Sequence, residues 1–407
     1  MPVAGSFQLM KSMNRSLILN TIRLDGPISR ADIAKKTKLT PPTVTNIVAE
    51  LIEEKLVRES KMGESRGGRK PILLTIDAKN SFVIGLDVGG YRVRAVLTDL
   101  NGEVEGQTTV ELSSDLTEET LIDQLIKITV TLFEQCKMQK DKVIGIGIGM
   151  HGIVDHQSGM AVFAPNFQLT NIDLKTPFES TFDVPVFVEN DARALALGET
   201  WFGNGQGIDH VICVNVGVGI GAGIVLNKRL FHGVHGIAGE IGHTTVDIHG
   251  KKCTCGNYGC LQTVAGGNML KERAIHDIAS GRKTMLLEKV EGDMDRISGE
   301  IIHQCALAGD PLSIEILEEA GKYLGIGITN IINFINPDRI IVGGGVSKAG
   351  DFVLEPLRKM VKERALTAKA RETEVVTAEL GEWGTAIGAV TLVLEDLFAP
   401  IYQNREA

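Results

Sequence analysis

The chain lacks an apolar run long enough to span a bilayer. Its most apolar stretch, Val211 to Leu226, is broken by Asn215 and four glycines, which suits paired strands better than a membrane helix. The first residues also lack the short apolar core and small-residue cleavage site of a secretory leader, so a cytoplasmic protein with no membrane partner is expected. Cysteine is sparse. Only six occur in 407 residues, and Cys136, Cys213 and Cys305 stand singly in helix-like or strand-like stretches. That spacing speaks against a disulfide framework and reads as reduced, buried thiols.

The remainder is that of a soluble protein with a substantial core: 43% of residues are hydrophobic and 23% charged. Length alone suggests two or three domains. Charge is divided unevenly between them. Residues 1–80 carry 14 Lys and Arg against 8 Asp and Glu, whereas the other residues carry 28 against 43. A basic head on an acidic body points to a head that meets a polyanion and a body that does not.

The three remaining cysteines are concentrated. Cys253, Cys255 and Cys260 form C-x-C-x4-C, with His243 ten residues upstream. Three thiolates and an imidazole are what tetrahedral structural zinc prefers, which predicts one closed site per chain. Gly256 and Gly259 let the chain fold back, since glycine accepts positive φ at little cost. The plainer alternative is a cysteine-bearing loop without metal.

In the head, SLILNTI places Leu17, Ile18 and Ile22 on one helical face, and Gly26-Pro27 stops that helix. Ser29 caps a second helix carrying Ile33 and Ala34 inward. Thr40 caps a third, with Pro41 at its first position and Val44, Ile47, Val48, Leu51 and Ile52 as its buried stripe. Thr43, Thr45 and Asn46 are left facing outward near its start, and with Thr40 they are the candidate DNA-contacting residues of a helix-turn-helix. The run GESRGGRKP before the apolar ILLTI reads as a wing with a cationic tip. Its Arg66 and Arg69 suit a narrow A·T-rich minor groove. A three-helix protein-interaction module with a solvated basic loop is the alternative.

From Phe82 a second domain, 81–407, begins with strand, glycine turn, strand and an Asn-Gly hairpin signal. Three glycine bends follow strands: Asp87 with Gly89 and Gly90, then Gly217 with Gly219, then Gly344 after DRIIV. Together they suggest a nucleotide cleft between two related halves. Between them, Asn166 lies in a turn, and Glu189-Asn190-Asp191 ends a short strand just before a helix. A carboxylate there is well placed to meet a ligand hydroxyl, and in a kinase it accepts the proton of the attacking hydroxyl.

With these motifs in view, the chain resembles the ROK family of repressors, open reading frames and sugar kinases. The wing GGRKP matches its repressor branch, which includes regulators of the xylose and N-acetylglucosamine type. The resemblance implies an α/β body with the actin-like ATPase fold: two ribonuclease-H-like lobes with sugar held in the cleft. It implies sugar contacts from Asn166, Asn190, Asp191, Glu240 and His243, and zinc ligation by His243, Cys253, Cys255 and Cys260. His243 then orients the sugar with one ring nitrogen while zinc holds the other.

This chain departs from the family pattern at three points. Tyr91 and Val218 stand where the kinases' phosphate loops carry small hydroxyls, which disfavours ATP with Mg2+. Gln262 replaces a sugar-holding glutamate; an amide still bonds hydroxyls but carries no charge. The expectation is a sugar-responsive repressor of carbohydrate-utilisation genes, a dimer or dimer of dimers on an inverted repeat. Two other readings stay open. In one, the protein is a bifunctional sugar kinase with Asp191 as base; in the other, the body docks a transport protein.

Overall fold

The computed structural model describes residues 7–62, 71–113 and 115–398. Two compact units divide the chain: one runs to Asn190 and takes back the residues beyond Gly388, and the other is Asp191–Gly388.

In the head, α1 (Phe7–Asp25) is followed by β1 (Ile28–Ser29), α2 (Arg30–Thr37) and α3 (Pro41–Glu53). The expected caps form: Ser29 Oγ accepts from the Asp32 amide at 3.1 Å and Thr40 Oγ1 from the Thr43 amide at 3.4 Å. Two apolar positions differ from expectation. Leu17 is exposed, because the stripe that α1 buries runs through Ile18, Leu19 and Ile22, and Leu17 lies a further 100° round the helix. Ile52, beyond the centre of the stripe on α3, is only half-buried. β2 (Val57–Met62) and β3 (Ile72–Ile76) complete a three-stranded wing in the order β1-β3-β2. Arg66 and Arg69 lie outside the described residues.

The rest of this unit begins with an antiparallel meander: β4 (Phe82–Val88), β5 (Arg92–Asp99) and β6 (Val104–Glu111). The Asn101-Gly102 turn joins the last two, with Gly102 at φ 81°. Then come α4 (Glu118–Cys136), β7 (Val143–Met150), a side sheet of β8 (Ile153–Asp155), β9 (Met160–Ala164) and β10 (Leu169–Asp173), α5 (Lys175–Phe182) and β11 (Val186–Asn190). The main sheet has the order β11-β7-β4-β5-β6, with β7 and β11 parallel to β4. Every residue of β4 is buried, as befits a central strand covered on both faces.

The second unit opens with α6 (Asp191–Phe202), then the meander β12 (Val211–Val216), β13 (Ile220–Leu226) and β14 (Arg229–Leu230). An irregular segment, 231–261, precedes α7 (Gln262–Ala265), α8 (Gly267–Ala279), α9 (Leu286–Lys289), α10 (Gly299–Leu307) and α11 (Pro311–Ile335). The unit continues with β15 (Arg339–Gly343), α12 (Asp351–Arg364), α13 (Ala368–Arg371) and β16 (Glu374–Thr377). The sheet order is β14-β13-β12-β15-β16, with β15 and β16 parallel to β12. Both units therefore share one plan, a three-stranded meander continued by two parallel strands, which is the duplicated ribonuclease-H-like architecture expected.

The chain returns to the first unit inside α14 (Gly384–Phe398). There the helix lies so close to β7 that a Cβ on Gly147 would stand 1.8 Å from the Ala389 carbonyl oxygen. Its end meets the head, where the Arg23 guanidinium sits 5.3 Å from the Phe398 ring centroid.

Candidate functional site

The candidate groups of the first unit gather at the carboxyl ends of β4, β7 and β11, the usual ligand side of a parallel sheet. The first glycine bend is closed by the Gly89 amide donating to the Arg92 carbonyl at 3.0 Å. Gly90 lies against Asn166; a Cβ there would stand 2.5 Å from the Asn166 Nδ2. Asn190 is buried and donates its Nδ2 to the Gly152 carbonyl at 2.9 Å. Asp87, also buried, accepts from the Arg94 Nη1 at 3.0 Å. Sequence reasoning missed that pairing, although Asp87 and Arg94 face each other in the β4–β5 register. It also left His151 without a role. That ring packs edge-on against Phe167 at 4.6 Å, with Nδ1 3.1 Å from the Val88 carbonyl.

In the second unit, Asp191 opens α6 and accepts from the Asn215 Nδ2 at 3.2 Å. Asn215 is the penultimate residue of β12, and the second and third glycine bends surround it. A Cβ on Gly344 (φ 86°) would stand 2.5 Å from the Asn215 Oδ1, and the Gly217 carbonyl accepts from the Gly267 amide at 2.8 Å. Glu240 precedes a single helical turn, Ile241–His243, and its carboxylate stands 3.9 Å from the His243 Nε2. Burial raises the Glu240 carboxyl; His243 and Arg193 pull it down, and Asp191 pushes it up.

His243, Cys253, Cys255 and Cys260 bring their donor atoms within 4.8 Å of one another. Cys253 Sγ is 3.6 Å from the His243 Nδ1, and Cys255 Sγ is 3.7 Å from the Cys260 Sγ. A tetrahedron on metal–sulfur bonds of about 2.3 Å and a metal–nitrogen bond of about 2.0 Å has edges of about 3.8 and 3.5 Å. The donors thus fit zinc with little rearrangement, whereas a disulfide needs sulfurs about 2 Å apart. Burial alone would raise the Cys253 thiol, but hydrogen bonds from Cys255, His243 and Cys260 bring it down to about 6. Burial and the neighbouring thiols push Cys260 up to about 12. The Cys253 thiolate forms readily here, and that of Cys260 calls for a neighbouring cation. Gly256 and Gly259 have φ of 95° and 66°, as the tight reversal requires. Gln262 donates its Nε2 to the Cys253 Sγ at 3.3 Å, and its Oε1 lies 3.4 Å from where a Cβ on Gly219 would be. The amide therefore links the cysteine cluster to the second glycine bend. A glutamate there would set another negative charge against a thiolate.

On α3, Thr45 and Asn46 are exposed. The hydroxyls of Thr40 and Thr43 bond each other at 2.8 Å in the cap, so the outer face of the helix is left to Thr45 and Asn46.

Comparison with known proteins accounts for this arrangement. A model of the ROK family matches residues 83–396, and a winged helix-turn-helix DNA-binding model matches 14–58. The chain belongs to the ROK family. It is 34% identical to the xylose repressor of Bacillus subtilis, over 95% of this chain and 96% of that one. The structure of a ROK family transcriptional regulator, a homologue of the Escherichia coli MLC protein, superposes with a TM-score of 0.84 at 30% identity, covering 97% of this chain and 98% of that one. A ROK family glucokinase from Streptomyces griseus, solved with glucose and AMPPNP, gives 0.69 at 34% identity, covering 77% of this chain and 99% of that one. ROK kinase and ROK regulator thus share the body, and the regulator match extends over the head as well. No helix among the described residues is long and apolar enough to cross a membrane.

Proposed function

We propose that this ROK protein is a cytoplasmic, sugar-responsive transcriptional repressor of carbohydrate-utilisation genes, with xylose the leading effector. The head contacts an A·T-rich inverted repeat as a dimer, with Thr45 and Asn46 reading bases and Arg66 and Arg69 entering the minor groove. Asn166, Asn190, Asp191, Glu240, His243 and Gln262 form the sugar site. One structural zinc held by His243, Cys253, Cys255 and Cys260 supports that site by fixing the imidazole.

One observation carries the choice of repressor over kinase: the first phosphate loop lacks the free carboxylate and small hydroxyl that phosphate handling needs. The carboxylate of Asp87, in the position to help hold a metal–phosphate, is ion-paired with Arg94, and Tyr91 and Val218 supply no small hydroxyl. Phosphoryl transfer rests on positioning and charge stabilisation at the phosphates, so these losses fall on its main requirements. The sugar releases DNA through preferential affinity for the conformation that does not bind the operator. The contact of Arg23 with Phe398 ties the head to α14 and so to the body.

Operator binding measured with and without D-xylose, D-glucose and N-acetyl-D-glucosamine tests the reading. One of them should weaken binding, and a coupled assay should find no sugar-dependent ATP turnover. Turnover in the usual kinase range of about 1–100 per second would favour the bifunctional reading instead.

A further inference from the structure

Among the described residues, Arg193 heads the large side chains that are fully buried, at 1% exposure. Burying a guanidinium is unfavourable unless its charge and donors are matched. The residue stands in the first turn of α6, two positions after Asp191, and its Cα is seated on the sheet, 2.9 Å from where a Cβ on Gly223 would be. From that anchored base, Nη2 donates to the carbonyl of Gly236, 43 residues further along the chain.

Gly236 is near the middle of the strap between β14 and Glu240. In this strap Gly233, Gly236 and Gly239 take φ of 71°, 66° and 95°. Three glycines in seven residues leave the backbone little conformational preference of its own. The ends are pinned by backbone bonds: Phe231 donates to the Ile224 carbonyl at 2.8 Å, and the Ala222 amide donates to the Gly239 carbonyl at 2.8 Å. Inside the strap the Ala238 amide donates to the His232 carbonyl at 3.0 Å, and Arg193 supplies the side-chain hold at the centre. Its charge also reaches Glu240, the residue that the strap delivers.

We propose that Arg193 is a positioning residue for the effector site: through the Gly236 carbonyl it sets the path of the strap, and so the placement of Glu240. This rests on the sugar-binding reading above. A strap ordered in advance spares the sugar the entropy of ordering it, and that difference appears as affinity.

Calorimetry on the full-length protein, titrated separately with D-xylose, D-glucose and N-acetyl-D-glucosamine, tests it. Arg193→Met should weaken sugar binding about tenfold to a hundredfold with metal content unchanged. Arg193→Lys, which keeps the charge and a donor, should weaken it less. Because Arg193 acts through Glu240, adding Arg193→Met to Glu240→Gln should cost less than about threefold further, a non-additivity that general loosening of the fold would not produce. Wild-type affinity in Arg193→Met, or fully additive losses in the double variant, overturns the proposal. Should Arg193→Met fail to fold, the same cycle with Arg193→Lys decides by the same criterion. If the wild type binds none of the three sugars, the sugar reading falls and takes this inference with it. If the wild type binds and the losses are additive, this inference alone falls.

Discussion

The two units repeat one strand plan, yet the penultimate residue of the first strand does different work in each. In the first unit Asp87 is bound by Arg94; in the second Asn215 supports the carboxylate of Asp191. The same place in the fold is neutralised in one case and presents a charged acceptor in the other. The units also differ beyond the meander. After β6 the chain proceeds to an ordinary amphipathic helix, whereas after β14 it makes the long segment that holds Glu240 and the His243–cysteine cluster and leads into Gln262 at the start of α7. A duplicated sheet is thus a scaffold, and function is decided by the loops grafted on it.

Removing the metal should break this contrast most severely. Cys255→Ser takes away one ligand of four, and since such a site contributes about 10–16 kcal/mol of apparent binding energy in isolated zinc peptides, the loops of the second unit should lose their order. Metal analysis should find less than one zinc per chain, and sugar binding should fall below detection. Full metal occupancy in the variant would show that Cys255 is not a ligand.

Breaking the ion pair tests the other side of the comparison. Arg94→Ala leaves the Asp87 carboxylate buried and unmatched by its guanidinium; both side chains are less than a fifth exposed, at 17% and 11%. A loss of about 3 kcal/mol in denaturant unfolding is expected. A change below about 0.5 kcal/mol would mean that solvent or other groups already carry that charge.

Asp191→Ala sharpens the contrast from the second unit. Losing a charged acceptor should weaken the sugar by about 1.5–3 kcal/mol, roughly tenfold to a hundredfold, while operator binding persists. Repression that ignores the sugar is the phenotype to look for. An unchanged sugar response with a lowered melting temperature would assign Asp191 to helix support alone.

The smallest effect concerns a purely structural carboxylate for reference. Asp310 starts α11. Burial would raise its pKa, but hydrogen bonds from the Ser313 hydroxyl and amide, the Met285 amide and the Thr284 hydroxyl hold it below the ordinary carboxylate range. A depressed folded-state pKa contributes stability that is present above the unfolded value, about 3.9, and is lost as pH falls through the folded value. The stability gap between wild type and Asp310→Asn should therefore be constant at neutral pH and shrink below about pH 4. A gap unchanged down to pH 2 would contradict the depressed pKa.

Features that depend on neighbours along the chain are legible before any folding is considered. Ser29, Thr40 and Pro41 mark helix starts because a cap bonds within three residues. Asn101-Gly102 marks a hairpin because only a few residues tolerate its dihedrals. The clustering of His243 with Cys253, Cys255 and Cys260 is legible because they span few residues, and their types suit one ion. Tertiary structure alone decided which distant groups meet: Asp191 with Asn215 across 24 residues, Arg193 with Gly236 across 43. An arginine inside the apolar run ARALALG was a signal that a buried cation needed a partner, but periodicity gives no address for it. The partner is set by which loop the packing of α6 on β13 brings over that helix face, and that is a property of the assembled fold, because a hydrogen bond is specified by distance and direction in space.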